Sequence, residues 1–246
     1  MAKSKFIVTG CSRSGTTYMS ALLSELGLAC GHERVFNIFP VMELKPPFDF
    51  ATLFGDKDGD SSFLGAPYVN ELPAGSVVLH QIRHPVHVIR SHMGIRYFAP
   101  DYQPSIYLAD NHPDFLDVIR RHCPQIFVDA DELRRTMRYW ILWNKMVQEA
   151  STALHVRYLR YRVEELDLPL LLRILELLRV DVPEETVTQA LAMVSQSTNA
   201  RLRDDAVSWE ALPDGRLKSA IAQLAASYGY DDLDSLSSSF LKSGQR

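Results

Sequence analysis

The chain has 246 residues, 46% hydrophobic and 23% charged, which is the composition of one globular domain with a large core. A formal net charge of −4 supplies no global field for nucleic acid or an acidic membrane, so any anion site has to be built locally. No apolar window reaches the roughly 18 residues of a membrane span, no leader pattern precedes the first strand, and three cysteines (Cys11, Cys30 and Cys123) fit a reducing cytoplasm better than a disulfide framework.

The run "KFIVT" (5–9) is short, apolar and ends at Gly10, which predicts a buried strand. From Ser14 the pattern turns helical: Tyr18, Leu22 and Leu26 recur at four-residue spacing, and Gly27 closes the helix. Residues 34–75 are rich in Pro, Gly, Asp and Phe and predict an irregular insertion with at most short elements. "SVVLHQI" (76–82) reads as a second buried strand, and "PVHVIRSHM" (85–93) as a helix with Pro85 in its first turn. Residues 131–150 form an amphipathic helix, with Leu133, Met137, Trp140, Ile141, Asn144 and Val147 on or near one face. "LHVRYL" (154–159) predicts a third strand, followed by helices near 164–179, 183–194 and 215–228. The tail from 235 to 246 is polar and is expected to fray. Strands alternating with helices predict a single α/β domain over 1–234, with a mostly parallel sheet flanked by helices.

The stretch "VTGCSRSGTTY" (8–18) has the outline of a phosphate-binding loop between a strand and a helix. Gly10 and Gly15 permit a tight turn and close approach of an anion. Ser14, Thr16 and Thr17 bring hydroxyls, and the helix N-terminus brings backbone N–H groups and the positive end of its dipole. Where a nucleotide triphosphatase has Lys, this chain has Thr16; its cation is Arg13, a planar donor suited to phosphate or sulfonate oxygens. The strand "VVLHQIR" ends in Gln81 and Arg83 rather than an acidic residue that would help hold magnesium.

A second candidate anion segment is "RHPVHVIRS" (83–91). Arg83 leaves a strand end and Ser91 lies eight residues on, about two helical turns away. Together, "CSRSGTTY" and "RHPVHVIRS" resemble the sulfotransferase superfamily, which implies a P-loop-like α/β fold and the sulfonate donor 3′-phosphoadenylyl sulfate. The resemblance implies that Arg13, Ser14, Gly15, Thr16 and Thr17 hold the donor's 5′-phosphosulfate, and that Arg83 and Ser91 hold its 3′-phosphate. The loop, with Arg in place of Lys, is similar to that of tyrosylprotein, carbohydrate and bacterial sulfotransferases. "LRYRVEEL" (159–166) is loosely similar to a strand-end Tyr-Glu-Asp-Leu segment, which implies that Tyr161 lies near the adenine. "SWEALPDGRLKSAIAQLAASYGY" (208–230) is similar to the C-terminal ending of bacterial members; Arg201 and Arg203 either help cover the 3′-phosphate, as basic residues of a late loop do in that family, or belong to a solvated face.

Sulfuryl transfer to an alcohol requires removal of the acceptor proton and neutralisation of charge on the leaving phosphate. Arg13 and the loop serve the second need. For the first, Cys30-Gly31-His32-Glu33 resembles the Cys-Gly-Glu-Glu segment of tyrosylprotein sulfotransferases, which implies Glu33 as general base with His32 as its partner or substitute. The expected acceptor is a hydroxyl on a small molecule, lipid or sugar, sorted by the 34–75 stretch and by Phe36, Phe39, Phe48, Phe50 and Tyr97. The histidines at 80, 84, 87 and 92 are too scattered along strand and helix to predict a metal site, and "DKDGDSS" (56–62) departs from a calcium loop at its glycine and at its twelfth position. A P-loop kinase-type phosphotransferase and a non-catalytic nucleotide-binding protein are the alternative readings.

Overall fold

The structure, a computed structural model, describes residues 3–38, 41, 48–102, 114–194 and 207–234. Phe6–Thr9 (β1) and Val77–Ile82 (β4) are buried along their whole length, as near-continuous apolar runs are when a sheet is covered on both faces. They pair in parallel, Val8 opposite Leu79. Two shorter strands, Cys30–His32 (β2) and Gly59–Ser61 (β3), lie on the other side of β1, and Arg157–Arg162 (β5) borders β4. The five strands run in the order β2-β3-β1-β4-β5, every pairing parallel. The predicted single parallel α/β sheet flanked by helices is what the chain forms.

Alternate side chains of each strand feed two cores, as the period of two requires. Phe6, Val8, Val77 and Leu79 pack with Thr16–Glu25 (α1), Leu168–Leu178 (α6) and Glu184–Met193 (α7). Ile7, Val78 and Ile82 pack on the opposite face with Pro85–Ile95 (α3), Glu132–Glu149 (α5) and Arg216–Ser227 (α8). Trp140 and Trp143 of α5 are fully buried there, with indole N–H groups donating to the carbonyls of Arg83 and Phe63 at 3.2 and 3.1 Å.

Three expectations need revision. The stretch 34–75 does hold only short elements, but one of them, β3, is a strand inside the sheet rather than part of an excursion from it. Phe50–Phe54 (α2) and a 3₁₀ helix over Phe63–Glu71 accompany it. The third predicted strand is displaced: β5 begins at Arg157, not at residue 154, and Leu154 is fully exposed. Charge hid the strand, because β5 is a sheet edge and tolerates Arg157, Arg160 and Arg162. The guanidinium groups of Arg160 and Arg162 lie over the rings of Tyr228 and Tyr230, 4.8 and 5.0 Å from their centroids. Finally, Phe115–His122 (α4) was not foreseen, although Asp114 and Asp117 form a reciprocal capping box at its start. The tail 235–246 lies outside the described residues.

Candidate active site at the carboxyl edge of the sheet

Because every strand is parallel, all five carboxyl ends open on one edge, where ligands of such sheets bind. The loop 10–15 leaves β1 there, Glu33 follows β2, Ser62 follows β3, and Arg83 follows β4. Residues far apart in sequence therefore converge.

The loop is held on all sides. A Cβ at Gly10 would sit 2.1 Å from the Gln81 carbonyl oxygen, so β1 and β4 approach this closely only because position 10 has no side chain. Arg13 takes a left-handed φ of 70°, and Gly15, the N-cap of α1, has φ 93°. No side chain caps the helix and its first turn carries no acidic residue, which leaves the N-terminal N–H groups to an anion. From beneath, Gln81 donates through Nε2 to the Ser14 carbonyl at 2.5 Å, while its Oε1 accepts from the Tyr161 hydroxyl at 2.6 Å. The Ser12 N–H donates to the Tyr139 hydroxyl at 2.8 Å, and Ser12 Oγ lies 3.0 Å from His92 Nε2. Burial, with Arg13 adding to it, pulls the His92 imidazole down to about 3, so it holds the loop as a neutral ring. The Ser14 hydroxyl is buried with no hydrogen-bond partner among the described residues. Such a group calls for an acceptor.

The two anion segments meet. Arg13 Nε donates to Ser91 Oγ at 2.8 Å, and Arg83 Nη1 donates to the Arg13 carbonyl at 2.8 Å. Seventy residues of sequence between Arg13 and Arg83 are thus closed into one cationic cluster. Behind it stands Glu164 of the "LRYRVEEL" segment, to which the sequence assigned no role. Its carboxylate accepts the His84 N–H and the Tyr230 hydroxyl, each at 2.8 Å, and so ties the end of β5 to the start of α3 and to the C-terminal segment.

On the other flank, His32 Nε2 lies 3.0 Å from Thr17 Oγ1 and 3.4 Å from Thr16 Oγ1, so His32 joins β2 to the loop helix. Burial, with Arg34 adding to it, lowers the His32 imidazole below its ordinary value. No hydrogen bond between His32 and Glu33 is seen. Glu33 sits in a left-handed turn with φ 52°, its N–H donating to the Ser61 carbonyl at 3.3 Å. Burial pushes its carboxyl up to about 7, and the neighbouring Asp60 adds to the rise.

Of the residues singled out by sequence, Arg13, Ser14, Gly15, Thr16, Thr17, Arg83 and Ser91 form one cluster, with His32 and Glu33 at its border. Tyr161 is not at the open face: it is 5% exposed, inside β5, and reaches the loop only through Gln81. Phe36, Phe50 and Tyr97 are buried in the core, Phe48 packs against it, and Phe39, Arg201 and Arg203 lie outside the described residues. Among the histidines, His80 is buried between Tyr158 and Asn144 and His92 is beneath the loop, while His84 and His87 face each other with ring centroids 5.1 Å apart. Among the described residues no group of three His, Cys, Asp or Glu is arranged to hold a metal ion, and no helix is long and apolar enough to cross a membrane. Gln81, His92 and Asp60 were missed because each acts through buried contacts that have no motif.

No protein-family model matches the chain, and no curated protein matches its sequence. Solved structures do. The chain is similar to the sulfotransferase domain from the curacin biosynthetic pathway, with a TM-score of 0.54 and 15% identity over 94% of this chain and 99% of that one. It is similar also to the sulfotransferase domain from the Synechococcus PCC 7002 olefin synthase, with a TM-score of 0.52 and 15% identity over 94% and 97% of the two chains. The fold is therefore that of sulfotransferase domains over most of the chain.

Proposed function

We propose that the protein is a sulfotransferase that uses 3′-phosphoadenylyl sulfate and acts on a hydroxyl of a small-molecule, lipid or carbohydrate acceptor. The observation that supports this reading is the junction of Arg13, Arg83 and Ser91, which joins the loop and the strand-end segment into one cationic cluster. The donor supplies a sulfonate activated by attachment to a phosphate. Arg13, the uncapped N–H groups of α1 and the hydroxyls of Ser14, Thr16 and Thr17 hold that phosphate and meet the charge left on it. Arg83 and Ser91 hold the second phosphate. Glu33, with its carboxyl near neutrality, takes the proton of the acceptor hydroxyl, since a base is most effective with a pKa near the working pH. His32 fixes the two threonines.

A kinase-type reading finds less support. The acidic residue of the strand beside β1 is Asp60, and both its oxygens are engaged by backbone N–H groups of Arg34 and Phe36. Arg83→Ala tests the two-phosphate assignment. Its charge-assisted contact is worth roughly 1.5–3 kcal/mol, so adenosine 3′,5′-bisphosphate should bind about ten- to a hundredfold more weakly, with adenosine 5′-monophosphate little changed. Calorimetric titration of both ligands decides it; equal losses would place Arg83 away from the second phosphate. Donor-dependent release of the bisphosphate across an acceptor library would then identify the acceptor.

A further inference from the structure

The segment Asp60-Ser61-Ser62, at the end of β3, joins the two halves of the site. Asp60 is fully buried, and its two carboxyl oxygens accept the N–H groups of Arg34 at 3.1 Å and Phe36 at 2.9 Å. Those amides belong to the turn that carries Glu33. Ser62 Oγ donates to the Phe36 carbonyl of the same turn at 2.7 Å. Ser61 Oγ donates at 2.8 Å to the Thr16 carbonyl, in the first turn of the loop helix. Three successive side chains thus tie the Glu33 turn to the phosphate loop. The fit is close: Gly31 lies opposite Asp60 in the parallel register, and a Cβ there would come within 2.5 Å of Asp60 Oδ1. Nothing in the structural economy of a short strand calls for a buried carboxylate, which is costly to desolvate unless it is fully hydrogen-bonded.

We propose that Asp60 is the positioning residue of Glu33: through the Arg34 and Phe36 amides it holds the turn that carries Glu33 at a fixed place beside the loop. The proposal rests on Glu33 being the base of the proposed reaction. The other titratable or charged groups about Glu33 are its chain neighbours His32 and Arg34 and, from the end of α3, Tyr97. Among these groups Asp60 is the one that raises the Glu33 carboxyl.

The test is a titration of the Glu33 side-chain carboxyl by carbon NMR in the wild type and in Asp60→Asn. The asparagine keeps the size and one acceptor but removes the charge. The wild-type midpoint is expected near 7, and the variant midpoint about one unit lower. The acid limb of the turnover profile should move with it, to lower pH. A merely structural asparagine defect would reduce turnover without moving either midpoint, and that result overturns the proposal. In the wild type the Arg34 and Phe36 amides are expected to exchange slowly with solvent; exchange at open-loop rates overturns it whether or not the variant folds. Glu33→Gln separates the two ideas: undiminished turnover there defeats Glu33 as base, while the carboxyl titration still judges Asp60.

Discussion

Arg13 and Glu33 share a backbone trait that no sequence pattern announces. Four described non-glycine residues have positive φ; Arg96 and Arg179 end helices, and the other two are Arg13 and Glu33. Such a conformation costs a β-carbon-bearing residue roughly 1–2 kcal/mol, and it persists where the surroundings over-determine it, as they do at functional sites. At position 13 the determinants are Ser91 and Arg83; at position 33 they are the Ser61 carbonyl and Asn37, whose amide donates to the Glu33 carbonyl at 3.0 Å. Glu33→Gln keeps the shape of the side chain and removes the proposed base. Turnover should fall by roughly two to four orders of magnitude with donor affinity little changed, read from steady-state rates and ligand titration. Stability gives a second readout. The folded Glu33 carboxyl is raised from 4.5 to about 7, so its contribution to stability is present below the unfolded value and is lost as pH rises through the folded one. The glutamine variant, which does not ionise, should therefore gain on the wild type at about pH 8 relative to about pH 5. Melting curves at both values check this, and a pH-independent difference would mean that the carboxyl is not raised.

At the scale of elements, β1, β4 and the long helices were legible because burial on two faces leaves an apolar run and burial on one leaves a 3.6-residue period. The turn between β1 and α1 was legible for a different reason: its glycines, hydroxyls and Arg13 stand close together in sequence. β2 and β3 were not legible. Each has three residues, Cys30-Gly31-His32 and Gly59-Asp60-Ser61, and neither has the β-branched or aromatic residues that mark a strand. Their places are set by tertiary contacts with α1 and with the 33–36 turn. Tyr161 shows a related limit, since a motif match gives a residue's neighbourhood but not the face of the strand it occupies. A close backbone contact between elements is that of Gly10 with β4. Gly10→Ala puts a methyl group 2.1 Å from the Gln81 carbonyl oxygen, which is backbone and cannot swing aside. The strands must part where the loop begins, at a cost typical of overpacking, about 1–3 kcal/mol. A chain of this size should lose roughly 2–4 °C in Tm per kcal/mol, and ligand affinity should fall as well because Gln81 also carries the Ser14 carbonyl. An alanine variant with wild-type melting and binding would show that β1 and β4 do not approach so closely.

At the scale of the whole molecule, the loop, α3 and the end of β5 are separate segments that one ligand would join. The Arg13–Ser91, Arg83–Arg13 and Glu164–His84 contacts already span β1, β4 and β5. A ligand with two phosphates, one at the loop and one at Arg83, binds only when all of these are in place, so it binds the native state and not the unfolded chain. Mass action then raises stability by about 2.7 kcal/mol at a hundredfold excess over Kd, or roughly 5–10 °C for a chain of this length. Adenosine 3′,5′-bisphosphate should produce that shift without magnesium, because its charges are met by Arg13, Arg83 and helix N–H groups rather than by a bridging cation. ATP places its phosphates in one row, which leaves Arg83 without a phosphate to meet and asks the loop to hold a triphosphate without the lysine that Thr16 replaces. It should stabilise less, with or without magnesium. Thermal melts with each nucleotide, run with magnesium and with chelator, make the comparison. A larger shift from magnesium-ATP than from the bisphosphate would turn the reading toward phosphoryl transfer, and the Asp60 carboxylate would then have to leave the Arg34 and Phe36 amides to serve the metal.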